Sequence, residues 1–180
     1  LFIKKYYECV SKEEGLLHCN DANEAVSALK NGSGALLSVE GCGCIDSLDE
    51  LKELYRAGVR FVGLTWNYNN IIGCGAPVSG TGDDTGLTEY GKEFVRECER
   101  LGIVIDVSHA SDKTVDDVLM ITKRPVIASH SNGANMDRYG GDGCDECPFT
   151  TCSVGHVNWW WVIHCWCCIP GDVCESISQS

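Results

Sequence analysis

Short runs of Val, Ile and Leu alternate along this chain with stretches whose apolar residues recur every three or four positions. The alternation repeats from about residue 20 to residue 133. Near-continuous β-branched runs predict buried strands of a parallel sheet, and the longer spacing predicts helices that cover it. Strands are expected at 35–39, 59–64, 103–107 and 125–129. Asp21 with Glu24, and Ser47 with Glu50, have the spacing of helix-opening capping boxes. Ala25, Val26 and Leu29 form the apolar stripe of the first helix, which should end at Asn31-Gly32. Leu48, Leu51, Leu54 and Tyr55 form that of the second, with Gly58 as the stop. Thr88 caps a third helix with Phe94, Val95, Cys98 and Leu101 on one face. Ser111 caps a fourth with Val115, Val118 and Leu119. Residues 1–20 carry a weaker signal, the end of a helix followed by an irregular link, and residues 69–86 read as a long Gly-rich loop. The whole is βα repeated, which calls for a parallel sheet with right-handed crossovers. Four strands make either a small open sheet or about half of a (β/α)8 barrel.

In both architectures the chemistry collects at the carboxyl ends of the strands. Those ends carry Glu40, Trp66-Asn67, His109 and His130, and the last two strands stop at the same Ser-His dipeptide. One carboxylate and two imidazoles on one face form a donor set for zinc or a similar metal. A lone histidine there is usually just a locally hydrogen-bonded polar residue. Three such donors at successive strand ends favour a site. Asp106 stands just before His109 and reads as either a ligand or the support of one, whereas Asp83 and Asp84 read as solvated loop charges. The glycines of the loop lack the Gly-x-x-x-x-Gly-Lys-Ser/Thr pattern of a phosphate cradle. Ser108, Ser129 and Ser131 lie in no Gly-x-Ser-x-Gly elbow, which argues against serine hydrolase chemistry.

Composition narrows the partners and divides the chain. A net charge of −12 argues against nucleic acid. No apolar run approaches the roughly 18 residues of a membrane span. The first residues, Leu1-Phe-Ile-Lys-Lys, show neither an initiator Met nor the pattern of a signal peptide. All 14 Lys and Arg lie at or before Arg138, while seven of the 13 Cys and four of the five Trp come later. We therefore separate residues 1–139 from an atypical Cys/Trp-rich tail, 140–180. The scattered cysteines of the first part suit a reducing, cytoplasmic setting, with a secreted or anchored parent chain left open. Cys144, Cys147, His156 and His164 could form a small zinc module in a non-catalytic interaction protein. The lack of turn and helix signals around them favours the other reading, a disordered or out-of-frame tail.

Five ordered blocks carry a resemblance. Leu36-Leu-Ser-Val-Glu-Gly41, Gly58-Val-Arg-Phe-Val-Gly-Leu-Thr65, Asp84-Thr-Gly-Leu-Thr88, Gly102-Ile-Val-Ile-Asp-Val-Ser-His109 and Pro125-Val-Ile-Ala-Ser-His-Ser-Asn132 resemble the membrane (renal) dipeptidase family, peptidase family M19. The resemblance covers about residues 20–133. It implies a (β/α)8-barrel metallohydrolase, here as about four βα units, that cleaves dipeptides with two zinc ions per complete site and a metal-activated water. Glu40 falls on the family's bridging carboxylate, and His109 and His130 fall on the histidines of one metal site. No His-x-Asp, the family's ligand pair for the other site, precedes Glu40, since His18 is followed by Cys19-Asn20. Trp66 stands where the family has a substrate-binding His, and Cys42 replaces the second Gly of a Gly-Gly pair. The family's acid/base Asp would lie beyond the matching region, so the catalytic residue is unassigned. Arg138 is the candidate for holding the substrate carboxylate, near but out of register with the family's Arg. The expected partner is a dipeptide; a homo-oligomer is compatible with the sequence.

Overall fold

A computed structural model describes residues 2–30 and 32–131. Arg138 and the Cys/Trp-rich tail, with Cys144, Cys147, His156 and His164, lie outside the described residues. The chain divides after Leu37 into two compact units.

The first unit holds α1 (Phe2–Lys12), β1 (Leu16–His18), α2 (Ala22–Ala28) and β2 (Ser33–Ala35). β1 and β2 pair in parallel, with Leu16 opposite Ser33 and His18 opposite Ala35. The expected irregular link after the first helix thus contains a strand, too short to show a periodicity of its own. Asp21 caps α2 by accepting from the Glu24 N–H at 2.8 Å. Glu24 reaches back one residue beyond the cap, to the Asn20 N–H at 2.7 Å, rather than to Asp21. Small residues form the core here: Cys19, Ala25 and Ala28 are buried and Leu36 packs on them. Val26 and Leu29, expected on the buried stripe of α2, are exposed.

The second unit contains the three-stranded sheet that carries the site. Its strands are β3 (Leu37–Glu40), β4 (Val59–Gly63) and β5 (Val104–Asp106), in the order β3-β4-β5. β4 and β5 are parallel, with Phe61 opposite Val104 and Gly63 opposite Asp106. The run expected as one strand over 35–39 is therefore split at Leu36 between β2 and β3. The run at 125–129 contributes a single parallel bridge, Ile127 to Asp106, held by Ile127 N–H to Ile105 O at 2.9 Å and Val107 N–H to Ile127 O at 2.8 Å. It extends the sheet beyond β5, so four successive strand ends line up, as in part of a (β/α)8 barrel.

Helices α3 (Leu48–Arg56), α4 (Glu89–Leu101) and α5 (Asp112–Ile121) connect these strands. Their buried side chains, Leu51 from α3, Phe94, Val95 and Cys98 from α4 and Val118 from α5, join Val62 of β4 in the core. Ser47, Thr88 and Ser111 cap them as expected, each side chain accepting the backbone N–H three residues on. α4 stops at Gly102, whose φ of 81° is left-handed and favours glycine. Leu119, expected on the buried face of α5, is exposed.

The Gly-rich loop is tied down rather than free. Thr114 Oγ1 accepts from the Cys74 N–H at 3.2 Å and donates to Cys74 O at 3.0 Å. Asp117 Oδ2 accepts from the Leu87 N–H at 2.9 Å. Asp84, expected to be a solvated charge, accepts from Ser111 Oγ at 2.6 Å and from the Lys113 N–H at 3.3 Å. Its carboxylate therefore caps α5 at the positive end of the helix dipole. Removing it in Asp84→Ala is expected to cost about 1–2 kcal/mol, the range of a lost helix cap. A urea-unfolding midpoint would measure this, and Asp83→Ala, on an exposed neighbour, should leave the midpoint in place.

Candidate metal centre

Glu40 is the last residue of β3, His109 lies three residues past β5, and His130 lies three past the Ile127 bridge. The parallel sheet brings all three to one end. One ligand atom from each lies within 4.8 Å of the others, so the group could hold a metal ion. His109 Nε2 is 3.2 Å and His130 Nε2 3.1 Å from Glu40 Oε1. The two Nε2 atoms are 2.7 Å apart.

Turn geometry aims His109. Its φ is 64°, the one left-handed non-glycine backbone among the described residues, a conformation that costs about 1–3 kcal/mol and persists only where its surroundings impose it. Here they do: His109 O accepts from the Ala76 N–H at 2.8 Å, and the Ala110 N–H closes a turn on Val107 O at 3.0 Å. The anchored loop thereby fixes a strand-end residue more than thirty positions downstream.

Outer hydrogen bonds determine which ring nitrogen carries the proton. His109 Nδ1 is 2.9 Å from Asn67 Oδ1. An amide oxygen only accepts, so Nδ1 carries the hydrogen, and in the neutral ring Nε2 is a bare lone pair. His130 Nδ1 is 2.6 Å from Ser129 Oγ, and Ser129 Oγ gives its proton to Asp106 Oδ2. Ser129 must then accept from Nδ1–H, which leaves His130 Nε2 bare as well. With both rings neutral, two imidazole lone pairs and a carboxylate oxygen meet with no proton among them. Such a cluster is repulsive by itself and is satisfied by a cation. Tetrahedral ligands on bonds of about 2.05 Å stand about 3.4 Å apart, close to the two Glu–His separations, and the two Nε2 atoms at 2.7 Å would move apart to admit an ion. The residues present fit a borderline divalent metal.

The remaining expectations sort by position. Asp106 is not among the converging atoms; it accepts from the Ser108 N–H at 2.9 Å and the Ser129 N–H at 3.2 Å as well as from Ser129 Oγ. Asn67 was legible only as a strand-end residue, and its partnership with His109 across 42 positions gave no sequence signal. Trp66 is exposed and meets Tyr68 edge-on, 6.1 Å between ring centroids. Gly41, left-handed at a φ of 76°, also leaves room for Trp66, whose Cβ would lie 3.2 Å from an added Cβ. Burial, with a smaller contribution from Cys44, pushes the Cys42 thiol up to about 12. It therefore stays protonated near neutral pH and supplies no thiolate beside Glu40.

Comparison with known proteins identifies the family. The model of the membrane dipeptidase family, peptidase family M19, matches residues 2–139. An uncharacterized dipeptidase of Schizosaccharomyces pombe is 38% identical over 122 residues, which are 66% of this chain and 29% of that protein. A metallopeptidase from Rhodobacter sphaeroides, solved with a phosphinate mimic of the dipeptide L-Ala-D-Ala, superposes with a TM-score of 0.60 at 30% identity, over 72% of this chain and 38% of that one. A probable dipeptidase from Pseudomonas aeruginosa shares the fold, with a TM-score of 0.66 at 22% identity over 74% of this chain and 36% of its own. The chain thus spans about 29% of the curated relative and under two-fifths of these solved structures. By its matched length, its partial (β/α)8-barrel fold and its relatives, this chain belongs to the membrane dipeptidase family, peptidase family M19.

Proposed function

We propose that the chain carries half of the metal centre of a zinc-dependent dipeptidase, with Glu40, His109 and His130 as ligands. The observation that carries this is the meeting of a carboxylate oxygen and two imidazole nitrogens at one end of the sheet, all within 4.8 Å of one another. Zinc bound there would polarise a peptide carbonyl and make water a nucleophile near neutral pH. The protein's own part is to hold the donors in place before the metal arrives: Glu40 by its strand, His109 by the anchored loop, His130 by the Ile127 bridge. Glu40 has a second carboxylate oxygen, which suits it to bridge to a further zinc. This reading extends to the chain the substrate class of the family, dipeptides, and leaves Arg138 as the candidate for the substrate carboxylate.

Zinc content after dialysis, with dipeptide turnover measured in the same samples, tests the proposal. Glu40→Ala should lose the zinc, while the double variant Cys144→Ser/Cys147→Ser should keep it. Turnover by the 180-residue chain should be very low, because the sequence contains no His-x-Asp pair before Glu40. Zinc lost only in the cysteine variant would overturn the assignment in favour of a tail module. A soluble monomer with two zinc ions and vigorous turnover would contradict the half-centre.

A further inference from the structure

We infer that Asp106 is a positioning residue that acts through Ser129 to fix the protonation pattern of the His130 ring. This rests on the reading of His130 as a metal ligand and deepens it. Asp106 ends β5 and Ser129 lies past the next strand position, so the contact crosses between neighbouring strands 23 residues apart in sequence. Three donors converge on one carboxylate: the backbone N–H groups of Ser108 and Ser129 and the Ser129 hydroxyl. The two N–H bonds hold the carboxylate where it can only receive the hydroxyl proton. Ser129 Oγ has one proton and commits it to Asp106, so towards His130 Nδ1, 2.6 Å away, it can only accept. The hydrogen of the neutral ring is thereby pinned on Nδ1 and the Nε2 lone pair faces Glu40 and His109. Ser108 completes the support: its Oγ accepts from the His130 N–H at 3.2 Å and from Ser131 Oγ at 3.3 Å. The same two Ser-His dipeptides that supply the imidazoles therefore supply the scaffold around one of them.

This arrangement has a direction, and an isosteric change reverses it. In Asp106→Asn the amide oxygen can still accept from the two N–H groups, while the NH2 group must donate to Ser129 Oγ. Ser129 then turns its proton towards His130 Nδ1, and the ring hydrogen moves to Nε2, where it blocks the lone pair. A residue that served only the packing of the strands would not move a proton on a neighbouring ring.

The experiment is long-range ¹H–¹⁵N NMR of the imidazoles in metal-free protein, with zinc affinity measured by chelator competition. Wild type should show both rings protonated at Nδ1. Asp106→Asn should switch His130 to the Nε2–H form, leave His109 unchanged and weaken zinc about 10–100-fold, the usual cost of losing an outer partner of a ligand. A folded Asp106→Asn protein in which His130 keeps its proton on Nδ1 overturns the inference. If amide spectra show that variant unfolded, Ser129→Ala takes its place: His130 should then populate both forms, and a ring still wholly in the Nδ1–H form overturns the inference. Wild type with both rings protonated at Nδ1 but without zinc affinity supports the relay and sinks the metal reading, so the two failures are distinct.

Discussion

His109→Asn is expected to weaken zinc binding more than 100-fold while moving the unfolding midpoint of the metal-free protein little. The size follows from the position: loss of an outer partner costs about 10–100-fold, and loss of the ligand itself should exceed that. The choice of residue follows from the backbone. At a φ of 64° alanine would add strain of its own, whereas Asn, like Asp and His, is enriched in the left-handed region. The shorter Asn side chain cannot place a donor where Nε2 lies, so the substitution removes the donor and keeps the turn. Chelator competition for zinc, paired with urea unfolding of the metal-free protein, reads both halves. An affinity within a few-fold of wild type would remove His109 from the site.

Gly91→Ala should have the largest effect on the fold, a loss of roughly 3 kcal/mol or more, at or above the upper end of what overpacking usually costs. A Cβ on Gly91 would lie 1.9 Å from the carbonyl oxygen of Ile72 and 2.9 Å from its carbonyl carbon. Both partners are fixed. Ile72 O accepts from the Thr88 N–H at 2.9 Å, and Thr88 caps α4. Phe94, Val95 and Cys98 keep α4 from backing away. Against a typical total of 5–15 kcal/mol this is a large fraction. The damage should also reach the site, because the displaced loop supplies the Ala76 N–H that holds His109 O. A thermal midpoint close to wild type would show that α4 docks less tightly than the distances indicate.

Legibility from sequence followed the strength of local signals. Ser47, Thr88 and Ser111 were readable as caps because a cap is a local event, one side chain and one N–H three residues away. The strand ends were readable because apolar runs stop sharply at Glu40, Ser108-His109 and Ser129-His130. Where the chain departed, the determinant was distant. Leu36 interrupts a run that looks like one strand, and only the pairing of β2 with β1 shows that the two halves belong to different units. Asp84 looks like any acidic loop residue until Ser111 and Lys113 are brought beside it. Asn67 and His109, and Asp106 and Ser129, are joined by tertiary contacts that leave no periodicity in the sequence. The candidate donors were thus legible, and Asp106 as a ligand or a support, while the contacts through which Asn67 and Ser129 orient the rings were not. Val26, Leu29 and Leu119 fail for a related reason: helical spacing marks a face as apolar without saying whether anything covers it.

X-ray absorption at the zinc edge of the loaded chain tests the metal assignment most directly, because it identifies the ligand atoms themselves. Coordination by Glu40, His109 and His130 requires nitrogen and oxygen neighbours at about 2.0–2.2 Å with imidazole scattering, and that signal should vanish in His109→Asn. Sulfur neighbours at about 2.3 Å, unchanged by that substitution, would place the zinc on cysteines and contradict the account.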